Sequence, residues 1–324
     1  MRRFALKRQF LELLTETRHI SLELFKVMIP VLIVVKVLEE LGGIKYIGYL
    51  LEPLMSLVGL PESMGLVWAT TLLTNIYAGM VVFFNLAAEE GLTVAQVTVL
   101  SGMLLIAHTL PVEARIAQKA GVRLPATLLM RFFGALLFGF LLHKLYTLGG
   151  WLQQPVEMLW VPPTQDASLW GWVVAQLESF VFIVLLIFVL LLVLKILKVL
   201  HIERLMIWLL QPVLRLMGIG PEATTITIVG MTLGLAYGGG LLIREAQTGH
   251  LSSKDIFSSL AFLAFCHSII EDTLLVLLLG ADLTGVLWLR LLFSLVLLML
   301  ITRVVSRLSE PFLERFLVIP HPPK

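Results

Sequence analysis

Two short stretches place ionisable side chains inside otherwise apolar sequence: His108-Thr109-Leu110-Pro111-Val112-Glu113 and His267-Ser268-Ile269-Ile270-Glu271-Asp272. On a continuous helix, His267 and Glu271 lie one turn apart and share a face, so they could pair or grip one cation together. In the first stretch Val112 stands where Glu271 stands in the second, and Glu113 is rotated off that face. A His–carboxylate pair in a low-dielectric setting suits proton coupling, because imidazole changes charge near neutral pH. It could also bind a divalent metal through His267 and Glu271, although no His/Cys cluster in the sequence completes a ligand set. The plainer alternative leaves Glu113 and Asp272 hydrated at helix ends. Arg131 and Arg290 could neutralise Glu113 and Asp272, hold an anionic substrate through a bidentate fork, or extend to the membrane interface.

A second set of candidates lies where glycine and small polar residues interrupt apolar sequence. Gly230 to Gly240 contains Tyr237-Gly238-Gly239-Gly240, and Thr74-Asn75-Ile76-Tyr77-Ala78-Gly79 occupies the matching place earlier in the chain. Each glycine weakens a continuous helix by about 1 kcal/mol relative to alanine. A break there frees backbone N–H and C=O groups that can bind a substrate near the bilayer midplane. Close helix packing on small residues is the competing explanation.

The elements that must position these residues are membrane helices. Of 324 residues, 58% are hydrophobic and 14% charged, and the mean hydropathy is +0.95. Stretches such as 179–194 carry no charge, and about 20 such residues in a helix cross a bilayer. A net charge of +2 points to no nucleic-acid partner, and the single cysteine, Cys266, supports no disulfide framework. The basic N-terminus runs on without a small-residue cleavage site, which argues against a removed signal peptide.

The chain repeats itself. With residue 36 laid on residue 195, a shift of 159 residues, Lys36 meets Lys195, Pro53 meets Pro212, and Gly59 meets Gly218. At the same shift His108 meets His267, Glu113 meets Asp272, Gly121 meets Gly280, Arg131 meets Arg290 and Lys144 meets Arg303. Between Pro61/Pro221 and Tyr77/Tyr237 the shift is 160. Apolar coincidences are cheap in a membrane protein, but His, Arg, Gly and Pro at one constant shift are not.

Orientation follows from lysine and arginine, which concentrate on cytoplasmic flanks. The N-terminus is basic, residues 145–194 hold no Lys or Arg at all, and four tryptophans crowd that region. The first unit therefore starts inside and ends outside, and the second does the reverse. The expected fold is all-α and polytopic, with two inverted-topology repeats at 20–148 and 178–307. They are flanked by a basic segment 1–19, an external Trp-rich loop 149–177 and a cytoplasmic tail 308–324. Each repeat has three transmembrane helices (20–40, 93–119 and 124–145; then 177–199, 254–279 and 283–304), an amphipathic surface helix (44–58; 201–217) and a Gly-broken hairpin (61–90; 221–249). Parity makes each hairpin re-entrant, because it must begin and end on the same side.

The duplicated hairpins, each following a Pro-Glu (Pro61-Glu62, Pro221-Glu222), resemble the Gate or "nucleoside recognition" domain family of membrane proteins. That family is similar to the membrane core of bacterial ferrous-iron permeases and to spore-maturation membrane proteins. The resemblance implies a transport-type fold with two Gate hairpins meeting near the midplane. It does not imply a nucleoside substrate, and the cytoplasmic GTPase domain of the iron permeases has no counterpart here.

The expected function is a secondary transporter or permease in a bacterial-type plasma membrane, with both termini cytoplasmic. It moves a small solute or ion, with protons as a possible coupling species, and a homodimer is an open possibility. No His-Glu-x-x-His, Gly-x-Ser-x-Gly or phosphate-binding glycine loop occurs, so no enzyme activity and no cofactor are expected. A structural or assembly subunit of a larger membrane complex, or an intramembrane hydrolase, is the alternative.

Overall fold

The computed structural model describes residues 2–41, 43–158, 168–217, 219–233, 243 and 251–319. All regular structure among them is helical. The first half comprises α1 (Arg2–Glu40), α2 (Gly43–Leu57), α3 (Met64–Leu73), α4 (Ile76–Glu90), α5 (Val94–Ile106), α6 (Leu110–Lys119) and α7 (Leu124–Gly149). The second comprises α8 (Leu169–Val199), α9 (Ile202–Leu216), α10 (Pro221–Leu233), α11 (Ser253–Cys266), α12 (Glu271–Leu277), α13 (Thr284–Arg307) and α14 (Glu310–Phe316). The first turns of α13 are π-helical, over Thr284–Leu289.

Local chemistry explains the boundaries. Thr93 caps α5 in a reciprocal box with Gln96, and Ser252 accepts from the Asp255 amide at the start of α11. Such caps satisfy amides that the first helical turn leaves free. Between α3 and α4 the helix stops at Thr74 and restarts at Asn75, whose side chain accepts from the Ala78 amide at 2.9 Å. Asn75 is therefore the cap of α4.

Five stretches are long and apolar enough to cross a membrane: Val94–Lys119, Leu124–Gly149, Trp170–Leu197, Ser253–Leu277 and Thr284–Arg307. The stretch 20–40, expected to be a sixth, carries Glu23, Lys26, Lys36, Glu39 and Glu40 and falls short of that composition. It lies in the 39-residue α1, which packs along α8. There Phe25 meets Phe180 at 4.7 Å between ring centroids, and Lys195 pairs with Glu16 at 2.8 Å.

Two spans differ from the continuous helices expected at 93–119 and 254–279. Each is broken near its middle, α5 from α6 at Ala107–Thr109 and α11 from α12 at His267–Ile270. Thr109 (φ 50) and Ser268 (φ 45) adopt left-handed backbone at the breaks, which side chains other than glycine rarely do. In the first span the cause is legible: Pro111 lacks an amide, and its ring would clash with the carbonyl four residues back. The breaks are stitched to α3 and α10, Thr109 N–H donating to Thr71 O and Ile269 N–H to Met231 O, both at 3.0 Å.

The broken spans are the central rods. In their apolar windows 72% and 78% of residues are buried, against 18% for Trp170–Leu197 and 28% for Thr284–Arg307. Two segments outside the helices clamp the ends of the rods. Residues 152–156 pair with 92–95, Val156 N–H donating to Leu92 O at 2.9 Å, and Val318 bridges Val122, with Ile319 N–H donating to Gly121 O at 2.7 Å.

Candidate functional site

A helix that ends inside a bilayer leaves its last four carbonyls without intrahelical donors. At the end of α5 all four are taken. Met103 O accepts from the Ala107 amide at 3.0 Å and Leu104 O from His108 Nδ1 at 2.9 Å. Leu105 O accepts from Arg290 Nη2 at 3.2 Å, and Ile106 O from Arg131 Nε at 2.8 Å. The end of α11 is treated alike: Leu263 O accepts from His267 Nδ1 at 2.8 Å, Phe265 O from Arg290 Nε at 3.0 Å. The histidine and arginine contacts thus recur residue for residue at the shift that aligns the two halves of the sequence.

The two imidazoles meet. His108 Nε2 and His267 Nε2 are 3.0 Å apart. Glu113 Oε1 stands 3.4 Å from the first and 3.3 Å from the second. Asp272 Oδ2 is 3.6 Å from His108 Nε2. The other oxygen of Glu113 is bound by Arg131 Nη1. His108, Glu113 and His267 together form a group whose ligand atoms could hold one metal ion. All of these side chains are buried, Arg131 and Arg290 completely. Neither arginine extends to an interface, and Glu113 is not hydrated at a helix end.

The breaks redistribute the expected partners. His267 turns its Nε2 to His108 and Glu113 rather than to Glu271, because the segment between His267 and Glu271 leaves the helix and their one-turn relation disappears. Glu113, expected to point away, becomes the shared neighbour of both histidines for the same reason. Glu271 is half-buried beside this centre and, with Asp272, comes within Coulombic reach of Tyr77. Arg131 pairs with Glu113, whereas Arg290 spends its described hydrogen bonds on backbone carbonyls, including His267 O at 2.8 Å. Asn75 serves as a helix cap and Tyr77 is buried on α4. Tyr237, Gly238, Gly239 and Gly240 lie outside the described residues.

Contributions invisible in side-chain types are the carbonyls of Leu104, Leu105, Ile106, Leu263 and Phe265, which orient the imidazoles and guanidiniums. Only Pro111 signals that they would be free. Three buried polar atoms at the centre have no hydrogen-bond partner among the described residues: Asp272 Oδ2, Arg131 Nη2 and Arg290 Nη1. Charged groups at this depth are costly and concentrate where a membrane protein acts on ions or solutes.

Fold and centre together define a polytopic helical membrane protein with a buried ionisable core. Residues 21–126 match the family described as Gate, nucleoside recognition. The chain is also 28% identical over 302 residues to the uncharacterized membrane protein YvoD of Bacillus subtilis (strain 168), a match covering 88% of this chain and 91% of the relative. No solved structure matches it.

Proposed function

We propose that this protein is a secondary transporter or permease of a small solute or ion, with its binding centre formed by His108, His267, Glu113 and Asp272 at the meeting of the two broken spans. The observation that carries this reading is the contact between His108 and His267. Two equivalent positions can touch each other only where the two units meet, and these touch at 3.0 Å. Inverted repeats with interrupted helices at the midplane are the architecture of many transporters. The lysine and arginine distribution supports the inversion, with both termini cytoplasmic in a bacterial-type plasma membrane. On this reading α3–α4, and the hairpin begun by α10, are re-entrant. Their ties to the breaks through Thr71 O and Met231 O would transmit movement to the histidines. The protein would do no covalent chemistry.

Proteoliposomes loaded with a broad panel of ions and small solutes, with and without a pH gradient, test this. Protein-dependent flux that His267→Ala abolishes is expected. A folded protein that gives no flux across the panel under either condition overturns the reading.

A further inference from the structure

The hydrogen atoms at the centre follow from the acceptors around it. A carbonyl oxygen has only lone pairs, so His108 Nδ1, facing Leu104 O, and His267 Nδ1, facing Leu263 O, must both carry hydrogen. In the neutral imidazoles the two Nε2 atoms are then both bare lone pairs, and they face each other at 3.0 Å. Glu113 Oε1 adds a third lone-pair atom at nearly equal distance from both, 3.4 and 3.3 Å. Asp272 Oδ2, in a carboxylate only 7% exposed and without a hydrogen-bond partner among the described residues, lies beside them, 3.6 Å from His108 Nε2. Three converging acceptors repel one another unless a cation lies among them. A single proton can bridge two of them, and that leaves the third facing lone pairs.

We propose that His108 Nε2, His267 Nε2 and Glu113 Oε1 form a three-ligand site, its fourth tetrahedral position open, for a divalent transition-metal ion of the zinc class, and that this ion is the transported substrate. The site stands on its own geometry; the ion's role as cargo rests on the transport reading. Ligands about 2.0–2.1 Å from a tetrahedral ion lie about 3.3–3.4 Å from one another. The three separations within the group, 3.0, 3.3 and 3.4 Å, lie close to that value. The surroundings are those of metal ligands. Each histidine donates its second nitrogen to a backbone carbonyl, and Arg131 holds the outer oxygen of Glu113, as outer partners fix ring and carboxylate orientation around metals. Two imidazoles among three ligands select against magnesium and calcium, which require six or more oxygens.

Cobalt(II) is the probe, because its visible absorption reports tetrahedral coordination. The full chain, purified in detergent, is expected to bind one Co2+ with a tetrahedral spectrum, which Zn2+ abolishes and Mg2+ or Ca2+ does not. His108→Ala and the shape-preserving Glu113→Gln should weaken binding by more than the roughly 10–100-fold that losing an outer partner costs. His143→Ala, remote from the centre, should leave binding unchanged. Absence of stoichiometric Co2+, or binding equally tight in a folded Glu113→Gln protein, overturns the site. Flux of another solute alongside absent Co2+ removes the metal and leaves transport standing. Co2+ bound at the centre with no metal flux in liposomes removes the cargo role alone.

Discussion

Replacing Arg131 by methionine keeps much of the side-chain volume while deleting the charge that faces Glu113. Arg131 has no exposed surface, it binds Glu113 through Nη1, and its Nε donates to Ile106 O at 2.8 Å. Stripping one partner from a buried ion pair costs about 3–5 kcal/mol, because the remaining charge is stranded. The orphaned Ile106 carbonyl adds about 1–3 kcal/mol. The expected loss, roughly 4–8 kcal/mol, rivals the whole stability of a typical domain, about 5–15 kcal/mol. Adding Glu113→Gln removes the stranded charge and should return about 2–3 kcal/mol, the upper range of coupling between residues in one network. The assay is reversible unfolding in mixed micelles titrated with a denaturing detergent, followed by helical circular dichroism, on the native protein, both single variants and the double. A cost below about 1 kcal/mol for Arg131→Met, or a double variant no more stable than that single one, would show that the pair does not carry the charge.

Three further outcomes follow from the packing. Gly280→Ala places a Cβ against Val156 and the Glu157 carbonyl at φ +92 and should cost about 1–3 kcal/mol; Gly91→Ala, at φ +60 in open space, should cost about 1 kcal/mol, as the same unfolding titration reads. Gly134 lies against the Phe265 ring, so Gly134→Val should overpack the α7–α11 contact by about 1–3 kcal/mol and lower any flux measured in liposomes. Cys266, fully buried beside His267, should resist a membrane-permeant maleimide in native vesicles and react once the protein is unfolded in detergent, as mass spectrometry would record.

How much of this was legible in the residues depended on what each signal encodes. Charge scarcity identified a membrane protein, since the bilayer permits little else, and His, Arg and Gly at one shift identified equivalent positions. Helical periodicity failed at the breaks. Pro111 announces one, yet Ile270 holds the equivalent place in the second span, and no local signal marks the change at His267–Ile270. On a continuous helix Glu113 is rotated away and His267 shares a face with Glu271. The meeting of His108 with His267 is a tertiary event: the sequence shift shows that they are equivalent, but not that they touch. For Arg131 and Arg290 the residues left burial and an interfacial position both open, and their service to helix-end carbonyls required knowing where the helices end.

The clamp between Ile319 and Gly121 has a consequence for how the chain is made. Every other described element precedes residues 317–319 in sequence, so the turn after α6 stays unlatched while all of α7 to α14 emerges from the ribosome. Residues 152–156 can pair with 92–95 earlier, and the Gly280 turn then packs against Val156. The first half therefore closes fully only after the second has been synthesised. Membrane insertion can therefore proceed helix by helix, but final assembly of the buried centre is a late, post-translational event, and a nascent chain stalled before residue 317 exposes an incomplete core to quality-control proteases.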